Sequence, residues 1–180
     1  EINSCLHETG WLTTGPKVKE LEHEITKLCE TNHTICVNSW TSGMLLLIKW
    51  LKLDKDDEII VPAYTYAATA LSIINSKVKC ILVDVNDDFT ININEIEKAI
   101  TKFTKCIVPV DLGGLPSDYI RLNILLNKKS VKTKFRPKTI FQKKIGRPIV
   151  ISDAAHSIGS LINGKPTPLF SDFSVFSFHS

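Results

Sequence analysis

The sequence predicts an α/β chain of three layers, a mostly parallel β-sheet covered by helices on both faces. Two observations lead there. After a leading helix, strand-like and helix-like segments alternate four times before further strands follow. The strand-like segments are also short apolar runs without strict alternation, as in strands buried on both faces. Right-handed crossovers would join them.

Each element has its own signal. "TTGPKVKELEHEITKLCE" is a turn and then a helix, with Thr14 as candidate N-cap, Pro16 at the first helical position, and Val18, Leu21, Ile25 and Leu28 on one face. "TICVN" reads as a short strand and "TSGMLLLIKWLKL" as the helix after it. Lys49 and Lys52 break that apolar run, which is too short for a membrane span. "DKDDE" is a charged loop. "EIIVP" is a strand stopped by Pro62, followed by the Ala-rich helix "YAATALSIINS". "VKCILVDV" is a strand, and "NEIEKAI" a helix capped by Asn92 or Asn94. "KCIVPVD" is a strand running into the turn "LGGLPSD", and "DYIRLNILLNK" is a helix. "RPIVISDAA" is a strand with a carboxylate at its end. "DFSVFSFHS", from Asp172 to Ser180, reads as an aromatic strand carrying serines.

Composition narrows the class. The 180 residues suffice for one domain with a sizeable core. The net charge of +3 comes from one segment: nine of the 22 Lys and Arg lie between Lys128 and Arg147, a stretch without an acid. The remaining chain carries 13 basic residues against 19 acidic ones. The segment reads as a solvated loop or as an electrostatic patch for a nucleotide diphosphate or another polyanion. Nucleic acid is a less favoured partner, because only Phe135 and Phe141 interleave the charges and no nucleic-acid module is present. Cys5, Cys29, Cys36, Cys80 and Cys106 are odd in number and hold no C-x-x-C pair, so reduced, structural cysteines in a reducing, cytoplasmic setting are expected. No metal site is expected.

In a sheet of this type ligands gather beyond the carboxyl ends of the strands. Thr41 and Ser42 in "NSWTSGM" open a helix and form either an ordinary capped turn or an anion site. The tyrosines of "PAYTYAAT" either pack at the rim or offer a surface for a flat ring. Asp153 in "ISDAAHSIG" follows four apolar residues and needs a cationic or hydrogen-bonding partner, with His156 three residues on. Together these residues, with the serine-bearing final strand, would suit pyridoxal phosphate. The protein would bind and orient that group and tune its ring. Its covalent partner should be a lysine, and none of Lys49, Lys77 and Lys105 is well placed.

The segments "GWLTTGPKVKELE", "NSWTSGM", "DEIIVPAYTYAAT", "VDVNDDFTININEIEKAI", "ISDAAHSIGS" and "DFSVFSFHS" occur in an order that resembles the DegT/DnrJ/EryC1/StrS group of nucleotide-sugar aminotransferases. The resemblance covers nearly all of the chain except about residues 128–147. It implies the large domain of the aspartate-aminotransferase fold (pyridoxal-phosphate fold type I), with residues 1–180 an incomplete part of it and the C-terminal small domain absent. It implies pyridoxal 5'-phosphate, with Thr41, Ser42 and Ser177 at the phosphate and Tyr66 stacked on the ring. Asp153 would pair with the ring nitrogen, and His156 would lie beside the ring hydroxyl. The Schiff-base lysine would fall at position 182, just past Ser180, so no catalytic residue lies in the chain and the chain alone is expected to be inactive. Trp40 departs from the pattern, since many members have glycine there.

The implied activity is transfer of an amino group from an amino acid, with glutamate the expected donor, to a nucleotide-linked keto-sugar, for amino-sugar and polysaccharide biosynthesis. The full-length protein would be a homodimer with no membrane association. Two alternatives stand beside it: a pyridoxamine-phosphate-dependent sugar dehydratase of the same group, with histidine at position 182, and a truncated, non-catalytic binding remnant.

Overall fold

The computed structural model describes residues 2–11 and 13–179. A short helical turn, α1 (Ile2–Ser4), runs into a π-helical stretch, Cys5–Thr9. The helices α2 (Pro16–Leu28) and α3 (Trp40–Trp50) follow. Then come β1 (Glu58–Pro62), α4 (Ala67–Asn75), β2 (Lys79–Val83), α5 (Ile93–Ala99) and β3 (Thr104–Ile107). The second half holds α6 (Tyr119–Asn127), α7 (Lys129–Lys134), α8 (Ile140–Ile145) and β4 (Ile149–Asp153). A two-residue hairpin, β5 (Leu161–Ile162) and β6 (Lys165–Pro166), precedes β7 (Phe173–Val175).

Five strands form one sheet in the order β2-β1-β3-β4-β7, and every pairing in it is parallel. Alternate residues of each central strand serve different cores. Ile59, Val61, Cys106, Ile149 and Ile151 face Trp40, Met44, Ile48 and Ile73 of α3 and α4. Ile60, Ile107 and Val150 face Ile96, Leu122, Leu125 and Leu126 of α5 and α6. The period of two is present, but both faces are apolar, so no polar alternation marks it in the sequence. Chain order switches direction between β1 and β3, the place where such sheets open a crevice at their carboxyl edge.

Several local expectations need correction. "TICVN" forms no strand: residues 34–38 run without regular structure, because no sheet neighbour lies beside them. The N-cap of α2 is Gly15 rather than Thr14, with Pro16 in the first turn as expected. Of the apolar face of α2 only Ile25 is buried, while Leu21 and Leu28 are exposed. The final strand is shorter than expected. β7 ends at Val175, so Ser177 lies in an irregular tail and not on a strand, and Ser180 lies outside the described residues. The hairpin β5–β6 carried no expectation. Its turn is Asn163-Gly164, both at positive φ, as a two-residue hairpin requires.

The basic segment is not a solvated loop. It folds as α7 and α8, and the second helix has a Thr139–Gln142 capping box. Val131 and Phe135 are buried, and Phe141 packs between Trp50 (ring centroids 5.1 Å apart) and Phe173 (5.6 Å). Lys138 pairs with Asp54 and Asp57, both at 2.8 Å, and Arg147 with Asp172 at 2.7 Å. Buried Lys105 donates to the Arg136 carbonyl and lies 3.8 Å from Asp57. Asp54 and Asp57 precede β1, so the segment docks on the amino edge of the sheet. Cys29 and Cys106 are buried thiols, whereas Cys36 and Cys80 are only half-buried, and none of these four is in a disulfide. No helix among the described residues is long and apolar enough to cross a membrane.

Candidate active site

The six candidate residues all follow the carboxyl ends of strands or open the helix α3 beside them. Asp153 is the last residue of the central strand β4, and it is 4% exposed. Its backbone is fixed from the β3 side: Asp153 N–H donates to the Pro109 carbonyl, and Asp111 N–H donates to the Asp153 carbonyl. One carboxylate oxygen accepts from the Thr69 hydroxyl of α4 at 2.8 Å, the other from the Ala155 N–H at 3.3 Å. One donor to each oxygen leaves acceptor capacity on both. Burial pushes the carboxyl up to about 6, against the Thr69 and Ala155 hydrogen bonds, and nearby Asp111 adds to the rise. A cationic N–H would relieve a carboxylate in this position.

α3 starts where the resemblance implies. Its N-cap is Ser39, whose hydroxyl accepts from Ser42 N–H at 3.1 Å and donates to the Ser42 hydroxyl at 3.0 Å. Thr41 and Ser42 are half-buried in the first turn. Trp40, at the start of the helix, is buried in the α3–α4 core, and its indole Nε1 is the buried side-chain polar atom without a hydrogen-bond partner among the described residues. A buried unpaired donor costs about 1–3 kcal/mol. Gly43 lets the helix lie against β7: a Cβ there would stand 2.9 Å from Val175 Cγ1.

The remaining candidates are more open. Tyr66 is the N-cap residue of α4 and is 80% exposed. Tyr64, also exposed, packs its ring on Phe89 at 4.9 Å. His156 is exposed, and its Nδ1 accepts from Gly113 N–H at 3.1 Å, which ties the β4 loop to the β3 loop. Ser177 is half-buried, and its hydroxyl accepts from His179 N–H. The described residues stop at His179, short of Ser180, which the resemblance sets just before the Schiff-base lysine. Lys105 is buried towards the amino edge, so it does not reach this site.

A second buried carboxylate was not among the expectations. Asp111 follows β3 as Asp153 ends β4, and its oxygens accept from Ser117 N–H (3.0 Å) and Ser157 O–H (2.8 Å), with the Tyr119 and Ser152 hydroxyls also within reach at 2.8 and 3.2 Å. The Tyr119 and Ser152 hydroxyls also lie 2.6 Å apart, so their two protons are shared among three contacts in one network. The signal was available, since "KCIVPVD" and "RPIVISD" both close an apolar strand with aspartate. Thr69, Tyr119, Ser152 and Ser157 carried no such mark. A cleft of about 540 Å³ opens beside this network, with Asn86, Ser117, Arg121 and Asn163 among its walls. None of the six candidate residues lines it.

Comparison with known proteins accounts for this arrangement. The chain is 32% identical over its whole length to MJ1066, an uncharacterised protein of Methanocaldococcus jannaschii, and spans 43% of it. It is 38% identical to Spr1654 of Streptococcus pneumoniae, assigned as a sugar aminotransferase and solved in apo, PLP and PMP forms. The PLP form superimposes with a TM-score of 0.93 over 99% of this chain and 45% of that one. At 26% identity and a TM-score of 0.74 it also matches GDP-4-keto-6-deoxymannose-3-dehydratase with bound GDP-perosamine, over 91% of this chain and 40% of that one. The fold is thus that of the large domain of fold-type I aminotransferases. The model of the DegT/DnrJ/EryC1/StrS aminotransferase family matches residues 2–133 and 143–180, leaving out residue 1 and part of the docked basic segment. With the parallel sheet, the strand-end carboxylate and this match over nearly every residue, the chain belongs to the DegT/DnrJ/EryC1/StrS aminotransferase family.

Proposed function

We propose that the protein containing this chain transfers an amino group from an amino acid, glutamate in the first instance, to a keto-sugar carried on a nucleotide, using pyridoxal phosphate. The observation that carries the reading is Asp153: a buried carboxylate at the end of a central strand, with spare acceptor capacity and a raised proton affinity. Family membership and the likeness to Spr1654 support it. Since the chain spans less than half of these relatives, the reading concerns the whole protein, with residues 1–180 as part of its large domain.

The donor set suits the cofactor. Thr41 and Ser42 at the start of α3, with Ser177, would hold its phosphate, where backbone N–H groups and the helix dipole favour an anion. Tyr66 would cover the ring, and His156 would stand beside its hydroxyl. Asp153 would hold a proton on the ring nitrogen, kept in register by Thr69 and Ala155. When bound, the cofactor supplies an electron sink that stabilises charge developing on the substrate carbon. The chain's own part is to bind, orient and fix protonation. A homodimer in the cytoplasm is the assembly in keeping with the family.

The test is a titration of the full-length protein with pyridoxal phosphate, followed by glutamate and a panel of nucleotide-linked keto-sugars. Binding, with amine appearing on the sugar, is expected. Asp153→Ala should weaken binding and abolish turnover. A protein that binds pyridoxal phosphate no better than its Asp153→Ala variant would falsify the reading. Loss of oxygen from the sugar without amination would favour the dehydratase, a reading lent weight by the GDP-4-keto-6-deoxymannose-3-dehydratase match.

A further inference from the structure

Two aromatic rings remain half-exposed at the carboxyl edge although the chain holds them firmly. Tyr64 follows β1 and Phe89 follows the neighbouring β2, and their rings lie 4.9 Å apart with an interplanar angle of 36°. Tyr64 is 54% exposed and Phe89 50%. Ala63 N–H donates to the Val83 carbonyl, which ties the two strand ends together. Phe89 has a φ of 64°, a left-handed conformation that strains a bulky residue. Its loop enforces that conformation: Phe89 N–H donates to the Asn86 carbonyl, Asn86 N–H to the Thr90 carbonyl, and Asp88 accepts from the Thr90 N–H and hydroxyl. The loop is therefore ordered around a strained residue whose ring stays open to solvent.

The pair is continuous with the candidate site. Between Tyr64 and Tyr66, the Thr65 hydroxyl donates to the Thr69 hydroxyl at 2.9 Å, because the Thr69 proton goes to Asp153 at 2.8 Å. In the strand order Asp153 lies two strands from β1 and three from β2, roughly 10 and 14 Å at the usual interstrand spacing. Glutamate has no flat ring to lay on such a pair, and the cofactor ring belongs beside Asp153 and Tyr66. The far end of a nucleotide-linked sugar spans that distance and carries a flat base with a π-face. We propose that Tyr64 and Phe89 form the shelf on which the base of the nucleotide carrier stacks, and so are specificity-determining residues with no part in the chemistry. The inference rests on the reading of the substrate as nucleotide-linked. Stacking tolerates any base, so the shelf selects for a carrier and sets its place without choosing among bases.

The test uses the full-length protein, with and without pyridoxal phosphate, and measures by calorimetry the binding of UDP, dTDP and GDP, with glucose 1-phosphate as a probe that has no base. Tyr64→Leu and Phe89→Leu keep apolar bulk and, at position 89, the same demand on the backbone. Each should weaken binding of the diphosphates about tenfold, the order of one base–aromatic stack, and leave glucose 1-phosphate as it is. Tyr64→Phe and Phe89→Tyr should retain wild-type affinity. Should Phe89→Leu not fold, the contrast between Tyr64→Leu and Tyr64→Phe decides. Failure of every diphosphate to bind the wild type, equal affinities in the leucine variants, or an equal loss for glucose 1-phosphate overturns the proposal. So does a shift from dimer to monomer in the leucine variants with diphosphate affinity kept, which would assign the rings to a subunit contact. Pyridoxal phosphate affinity is read separately: a protein that takes up none, yet binds the diphosphates less well in the leucine variants, defeats the amino-transfer reading and keeps the shelf.

Discussion

At the residue scale the site keeps groups that folding alone would discard. Asp153 is one. An unfolded aspartate titrates near 3.9, whereas burial holds this one at about 6. The folded state therefore binds the proton more tightly. The stability this confers is complete at pH below about 3.9 and is lost as pH rises through about 6. Asp153→Asn keeps an acceptor for Thr69 and carries no charge, so the cofactor-free variant should exceed the wild type by roughly 2 kcal/mol at pH 7–8. The advantage should vanish near pH 4, as measured by urea denaturation across pH. Trp40 is a second such group. Trp40→Phe removes the unpaired indole N–H and keeps a ring in the core. The expected result is unchanged or slightly raised stability by urea denaturation, because no hydrogen bond is lost with the N–H.

At the element scale α3 and the basic segment matter most. Gly43→Ala would gain about 1 kcal/mol of helix propensity. The new Cβ, 2.9 Å from Val175, must push α3 off β7, and overpacking costs about 1–3 kcal/mol. A net loss near 1 kcal/mol is expected by chemical denaturation, with weaker cofactor binding because the first turn of α3 moves with the helix. For the segment, Phe141→Ala should cost about 2 kcal/mol, since its ring fills space between Trp50 and Phe173. A cost near zero would return α8 to the status of a solvated loop. These elements also show what was legible. β1, α3, α5, α6 and β4 could be read because apolar runs, Pro62, Asn92 and Asp118 mark them locally. Asp153 could be read because it ends an apolar run. The docking of α7 and α8 could not: Lys138 and Lys105 find Asp57 only in three dimensions, and a run of basic residues looks the same whether paired or solvated. "TICVN" has strand composition and no neighbour, and composition does not reveal neighbours.

At the scale of the whole molecule, charge and chemistry are segregated. The basic residues that give the chain its net charge gather towards the amino edge of the sheet, and the candidate site lies along the carboxyl edge. Binding of generic polyanions such as heparin should therefore leave pyridoxal phosphate affinity unchanged, a point that competition by fluorescence would check. The sheet order carries a kinetic consequence. No two strands of the main sheet are joined by a hairpin: Glu58 pairs with Lys79, Ile59 with Cys106, and Cys106 with Ile149. Each pairing must wait for a helical crossover to close a long loop, so no rung of the ladder can serve as a local nucleus. Asp153 and Asp111 come together only when β3 and β4 have aligned. The carboxylate pair is thus assembled late, on a chain whose refolding should be slow, on the millisecond-to-second scale, rather than that of a helical bundle.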